Sequence, residues 1–210
     1  AYLHANSLFA IAYDGVEFSR ISVSENLTIS GDNFVCSASD VSDYSITAYC
    51  EKVLIFSNST NGANCLTYEQ NKGFNNMFSQ NKSEIVQILP VVASERQTFV
   101  LLLKNKDGYD VASLDSTLAL IKKESVENSR NAALFSYGNS LSVLTENAFY
   151  RFCAHLDFGG KSSLDSVGIS KKYTALKVFD GDENTLLATS ENGAELLVFN
   201  GTSFKTVATL

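Results

Sequence analysis

Short β-prone runs, each stopped by a turn residue, fill this 210-residue chain almost from end to end. Residues 7–23 read SLFAIAYDGVEFSRISV and residues 194–209 read AELLVFNGTSFKTVAT. In each, Asp-Gly or Asn-Gly separates two apolar-rich runs. That dipeptide supplies the positive φ of a two-residue type I′ hairpin turn. Weaker copies begin at Tyr44 (YSITAYCEKVLIFS), Tyr109 (YDVASLDSTLALIKK) and Ser140 (SLSVLTENAFYRFCA). β-branched and aromatic residues are frequent in all five, and period-two alternation recurs, so the runs predict strands. The unbroken apolar runs, Leu8 to Tyr13 and Phe99 to Leu103 among them, have strand length. No apolar run reaches the roughly 18 residues that a transmembrane helix needs. The best helical stretch, Ser125 to Ala133, is short, and little helix is expected.

The strands fall into groups. One holds residues 26–32, 33–40, 43–50 and 52–59, and a second holds 84–93, 96–105, 108–115 and 116–124. A third holds 131–138, 139–146 and 147–154, and the last holds 172–180, 184–191, 193–200 and 202–209. A two-strand unit cannot bury its own face, so repeated units imply stacked sheets sharing cores. Four-stranded groups at intervals of roughly 50 residues predict an all-β, β-propeller-like array of short antiparallel sheets. The uneven hairpin spacing keeps a β-sandwich or jelly roll as the alternative. A lone proline, Pro90, argues for one domain over residues 1–210. Two stretches break the rhythm. Residues 57–83 read as a long Asn-rich loop carrying Phe74, Met77 and Phe78 as candidate partner contacts, and His155 to Ser170 is the other. The β-prone N-terminal segment is expected either to close the last sheet or to pair with the edge of a neighbouring subunit.

Composition narrows the function classes. Hydrophobic residues make up 45%, enough for a packed core, and the net charge is −7 with the acids dispersed. Phosphate binding needs a basic face, so nucleic acid is not the expected partner. Four cysteines, Cys36, Cys50, Cys65 and Cys153, form no C-x-x-C and allow three disulfide pairings. Of these, Cys50–Cys65 closes a loop of about 15 residues, worth about 3 kcal/mol in the chain-entropy model. Sequons stand at Asn26, Asn58, Asn81 and Asn200, placed at strand or turn positions where exposure is expected. The even cysteine count, the sequons and a start at Ala1 together predict an extracellular, secreted or cell-surface chain.

Residues 178–204, VFDGDENTLLATSENGAELLVFNGTSF, resemble the FG-GAP or VCBS repeat of integrin-like propellers. Asp180, Asp182 and Asn184 hold alternate positions of the loop, with Leu186-Leu187 following. In that family the loop oxygens bind Ca²⁺, so the resemblance implies Ca²⁺ at these three residues. Glu183 and Thr185 depart from the repeat by replacing its glycine and last aspartate. Only two histidines are present, His4 and His155, and no nucleophile elbow, P-loop or dinucleotide fingerprint occurs. A non-enzymatic glycoprotein module is therefore expected, a self-assembling subunit of an extracellular fibre, coat or appendage. Its partners would be proteins, copies of itself included. A carbohydrate-binding or adhesion domain is the first alternative, with glycans as ligands, and a glycan-processing enzyme is the second.

Overall fold

A computed structural model describes residues 2–4, 7–23, 29–38, 40–49, 52–70, 72–93, 96–126, 129–137, 140–153, 158–169, 173–179 and 182–210. Five four-stranded sheets account for its strands, and in each sheet the strands lie in chain order. The first holds β1 (Tyr2–His4), β2 (Ser7–Tyr13), β3 (Glu17–Val23) and β4 (Ile29–Ser37). The second holds β5 (Val41–Tyr49), β6 (Lys52–Ser59), β7 (Gly62–Glu69) and β8 (Gly73–Asn81). The third holds β9 (Glu84–Ala93), β10 (Arg96–Asn105), β11 (Gly108–Leu114) and β12 (Leu120–Val126). The fourth holds β13 (Ala132–Tyr137), β14 (Ser140–Thr145), β15 (Phe149–Cys153) and β16 (Phe158–Ser162). The fifth holds β17 (Ala175–Phe179), β18 (Asp182–Ser190), β19 (Gly193–Phe199) and β20 (Phe204–Thr209). Among the described residues the helical element is a single 3₁₀ turn, Asp165–Val167.

All five hairpins read from the sequence are present, but they occupy different places in their sheets. The one at residue 7 joins second and third strands, the one at 44 joins first and second, and the one at 194 joins third and fourth. Their uneven spacing follows from that mixture. Equivalent first strands start at residues 2, 41, 84, 132 and 175, intervals of 39 to 48 residues. In the two clearest turns the central pair is one residue later than Asp-Gly or Asn-Gly: Gly15-Val16 lies between Asp14 and Glu17, and Gly201-Thr202 between Asn200 and Ser203. Asp14-Gly15-Val16 is closed by the Asp14 carboxylate, whose Oδ1 accepts from the Val16 and Glu17 amides at 2.9 Å each. Asn200 caps a four-residue turn the same way, accepting from the amides of Thr202 at 3.0 Å and Ser203 at 2.9 Å. A side-chain acceptor that reaches two residues on does what the type I′ backbone would have done.

Three further expectations are corrected. Residues 57–83 are not a loop: most of them form the β6–β7–β8 meander, with Ala63, Leu66, Tyr68 and Phe78 buried between the asparagines. Asn75, Asn76 and Asn81 fill exposed strand positions, and Asn64, Asn76 and Ser79 bond to one another. The segment His155 to Ser170 contains β16 and the 3₁₀ turn. The N-terminal strand β1 pairs with β2 of its own sheet, Tyr2 opposite Phe9, whereas the last sheet draws all four strands from residues 175–209.

The chain divides into two compact units, Ala1–Ile85 and Val86–Leu210. In the first, Phe9, Val53 and Tyr68 form one core and Phe18, Ile55 and Leu66 another. In the second, Leu102, Val111, Leu134 and Val143 centre one core, and Phe135, Phe149, Phe199 and Phe204 centre the next. Adjacent residues of β13 point into different cores, Leu134 into one and Phe135 into the other. That is why the middle strands read as continuous apolar runs: both faces of each sheet are covered, so alternation is lost. Val100 to Leu103, all fully buried, are the clearest case.

Candidate functional site

An aromatic group that reaches the surface of the first unit at Tyr44 is built by two chain segments. The β2–β3 hairpin supplies Tyr13, Val16 and Phe18, and the segment from Ala38 into β5 supplies Val41 and Tyr44. Phe18 is fully buried and anchors the group. Its ring lies 4.8 Å from that of Tyr13 and 5.4 Å, edge-on, from that of Tyr44, and the two tyrosine rings are 5.8 Å apart. The Tyr13 hydroxyl donates to the Ala38 carbonyl at 2.9 Å and accepts from the Val41 amide at 3.3 Å. The Ala38 amide donates to the Val16 carbonyl at 2.9 Å. These bonds fasten the entry to β5 onto the hairpin and fix the tyrosines in place. Tyr44 remains 43% exposed and Val16 62%.

Acids lie beside this group along the chain. Segments 13–18 (YDGVEF) and 38–44 (ASDVSDY) carry Asp14, Glu17, Asp40 and Asp43 and no lysine or arginine. The Glu17 and Val16 amides hold the Asp14 carboxyl below the ordinary carboxylate range, so its charge persists at mildly acidic pH. Arg20, on the same β3, is turned elsewhere, its guanidinium over the rings of Phe9 at 5.1 Å and Tyr68 at 5.8 Å. An anionic, tyrosine-bearing surface suits a cationic partner segment, since aromatic faces attract lysine and arginine heads.

The residues singled out from sequence are placed as follows. Phe78 is buried, and Phe74 is half-buried against Tyr68 with ring centroids 5.1 Å apart, so neither is the free partner contact expected; Met77 is half-buried on β8. Asp182 and Asn184 lie on β18 by backbone, and Asp180 and the Asp182 side chain lie outside the described residues. Among the described residues no three His, Cys, Asp or Glu side chains converge as metal ligands. Of the sequons, Asn58 is buried, and its amide nitrogen donates to the Ile85 carbonyl at 2.8 Å, which closes it to glycosylation. Asn81 and Asn200 are exposed, and Asn26 lies outside the described residues. His155 lies there too, and of His4 only the backbone is described.

Cys36 and Cys65 are free thiols, so the Cys50–Cys65 bridge is not made; Cys50 and the Cys153 side chain lie outside the described residues. Cys65 is fully buried on β7, opposite Phe56 and Phe78 on the flanking strands, and its side chain serves as core packing. Burial pushes its thiol up to about 12. Tyr173 is buried and donates to the Glu195 carboxylate at 2.8 Å; burial and that bond push its hydroxyl well above the ordinary tyrosine value. Both folded-state values are raised, so the protons leave the unfolded chain first. The associated stability is intact below pH 9 and is lost as pH rises. The unfolding midpoint is expected to fall steeply between pH 9 and 11, and Cys65→Val to flatten that fall, both read by urea titration at several pH values.

No family model matches the chain, and no curated protein matches it. Solved structures do. The N-terminal domain of Nup159 aligns at TM-score 0.56 and 16% identity over 96% of this chain and 58% of that one. The Neurospora crassa Pan2 WD40 domain aligns at 0.51 and 12%, over 81% of this chain and 49% of that one. The dihydro-heme d1 dehydrogenase NirN aligns at 0.59 and 12%, over 98% and 44%. The fold is of the β-propeller type. The chain spans a little over half the length of the Nup159 domain it matches. The likeness reaches propeller domains of several kinds and does not single out the FG-GAP or VCBS repeat. In an S. cerevisiae structure, matched at TM-score 0.53 and 16% identity over 94% of this chain and 57% of that one, Dbp5 is bound to Nup159 and Gle1.

Proposed function

We propose that this chain is a non-enzymatic protein-binding module whose tyrosine surface receives a lysine- or arginine-bearing segment of a partner. The observation that carries the reading is exposed Tyr44 and Val16 with half-buried Tyr13, seated on buried Phe18, with four acids beside them in the chain. Exposed apolar groups held rigidly by a core are the usual mark of an interaction site. The acids add selectivity for cations and speed encounter. A propeller-type neighbour that holds a protein partner, Nup159 with Dbp5, is in keeping with such a role. Secretion, assembly into a fibre or coat, adhesion to glycans and glycan processing are readings of the sequence to which neither the fold nor the comparisons adds support.

The test is fluorescence anisotropy with two synthetic peptide sets, one bearing Lys or Arg beside an aromatic residue, the other with Glu at the basic positions. The basic set is expected to bind and to weaken as salt screens the charges. Tyr44→Ala combined with Asp43→Lys, both exposed positions, is expected to cut affinity at least tenfold, with the melting temperature lowered only by the loss of the Tyr44 ring contacts to Phe18 and Tyr13. Equal binding of both sets, or unchanged affinity in the variant, would overturn the reading.

A further inference from the structure

The fourth strand of each sheet has one pairing partner among the described strands, and so presents an open row of backbone donors and acceptors. Such edges invite pairing with another chain, and charged residues, lysine above all, are the common guard. Four of the five fourth strands carry one: Asp32 in β4, Lys122, Lys123 and Glu124 in β12, Lys161 in β16, and Lys205 in β20. The exception is β8, GFNNMFSQN, which holds no charged residue and no proline across Gly73–Asn81. A guard is missing where four equivalent positions have one.

The edge is also built to meet its own kind. Asn75, Asn76, Ser79 and Asn81 are exposed, and Gln80 is partly so. Each amide side chain both donates and accepts, so like residues set across an interface satisfy each other without a charge mismatch. A chain of net charge −7 repels its copies over most of its surface, and a neutral strand is where that repulsion is least. β4 packs near β8 without pairing to it, and among the described strands β8 pairs with β7 alone. The bulge at Met77 divides the strand into two regular pairing stretches, Gly73–Asn76 and Phe78–Asn81.

We infer that β8 is a homotypic docking edge, at which a second copy of this chain adds its own β8 antiparallel about a two-fold axis. The pairing is isologous, so it closes at the dimer and does not propagate. It uses residues of β8, none of which belongs to the tyrosine surface, and does not depend on what that surface binds.

The experiment is sedimentation equilibrium on chain made without N-glycans, because a glycan on Asn81 would cover the end of this strand. The natural chain is expected to show a concentration-dependent monomer–dimer equilibrium. Asn75→Lys and Asn75→Asp each restore a guard charge at an exposed position that makes no side-chain bond to the core, and each is expected to weaken dimerisation at least tenfold. Thr206→Lys, exposed on the already guarded β20, is expected to leave it unchanged. Melting temperatures check that all three fold. A natural chain that stays monomeric into the hundreds of micromolar, or Asn75 variants that dimerise like Thr206→Lys, would overturn the inference.

Discussion

Replacing Phe135 with alanine is expected to destabilise the chain by about 3–5 kcal/mol, the range for truncating a buried phenylalanine. Phe135 is 1% exposed on β13. Its ring lies 5.2 Å from that of Phe199, 5.4 Å from Phe204 and 5.8 Å from Phe149. The first two contacts are edge-on and come from β19 and β20, so the ring joins the fourth sheet to the fifth. The loss has two parts: the transfer energy of the ring, and a cavity walled by three phenylalanines that cannot collapse without leaving their own contacts. Phe135→Leu refills most of the volume but not the edge-to-face geometry, so a smaller loss is expected. Urea denaturation of the two variants checks both. Typical domains are stable by only about 5–15 kcal/mol, so the alanine variant is expected to be partly unfolded at 37 °C.

Asn58→Leu is expected to cost about 2–5 kcal/mol although it adds apolar surface. The Asn58 side chain makes a two-point clasp on one residue, with Nδ2 donating to the Ile85 carbonyl at 2.8 Å and Oδ1 accepting from the Ile85 amide at 2.7 Å. Leucine leaves both backbone groups buried without a partner, and each unsatisfied group costs about 1–3 kcal/mol. Asn58→Asp tests the two halves separately. The carboxylate still accepts from the Ile85 amide but sets a negative oxygen against the Ile85 carbonyl, so the variant is expected to lose nearly as much. Gln87 repeats the device in the second unit, accepting from the Leu134 amide at 2.9 Å and donating to the Leu134 carbonyl. Gln87→Leu is expected to behave the same way, at lower cost because Gln87 is only half-buried. Peptide mass mapping of chain made in glycosylating cells is expected to find Asn58 unmodified, since its nitrogen is taken.

The sequence by itself determined that this chain is all-β and that its strands come as antiparallel hairpins in repeated groups. It misplaced the first group, since residues 26–40, read as two strands, contain the single strand β4 of the first sheet, whereas 43–59 belong to the second. Strand propensity and turn dipeptides are local properties, and they survive in any tertiary context. A sharper version of the repeat was legible too. Asn or Asp followed by Gly or Ala stands at 14, 61, 107, 147 and 192, each time where the second strand turns into the third. Extra copies at Asn131-Ala132, Asp180-Gly181 and Asn200-Gly201 obscure that period. Tertiary structure alone decided which hairpin sits where in its sheet, because a hairpin looks the same whichever two strands it joins. It alone decided that the Asn-rich stretch 57–83 is strand: asparagine is a poor strand former by itself, and here the buried neighbours Leu66, Tyr68 and Phe78 outweigh it. The fates of Asn58 and Cys65 were set the same way. A sequon or a cysteine is a local pattern, whereas exposure and pairing depend on what lies across the sheet, Ile85 for one and Phe56 and Phe78 for the other. The tyrosine surface was out of reach for the same reason: Tyr13 and Tyr44 lie 31 positions apart in the chain. Only the packing of two sheets on Phe18 brings their rings together.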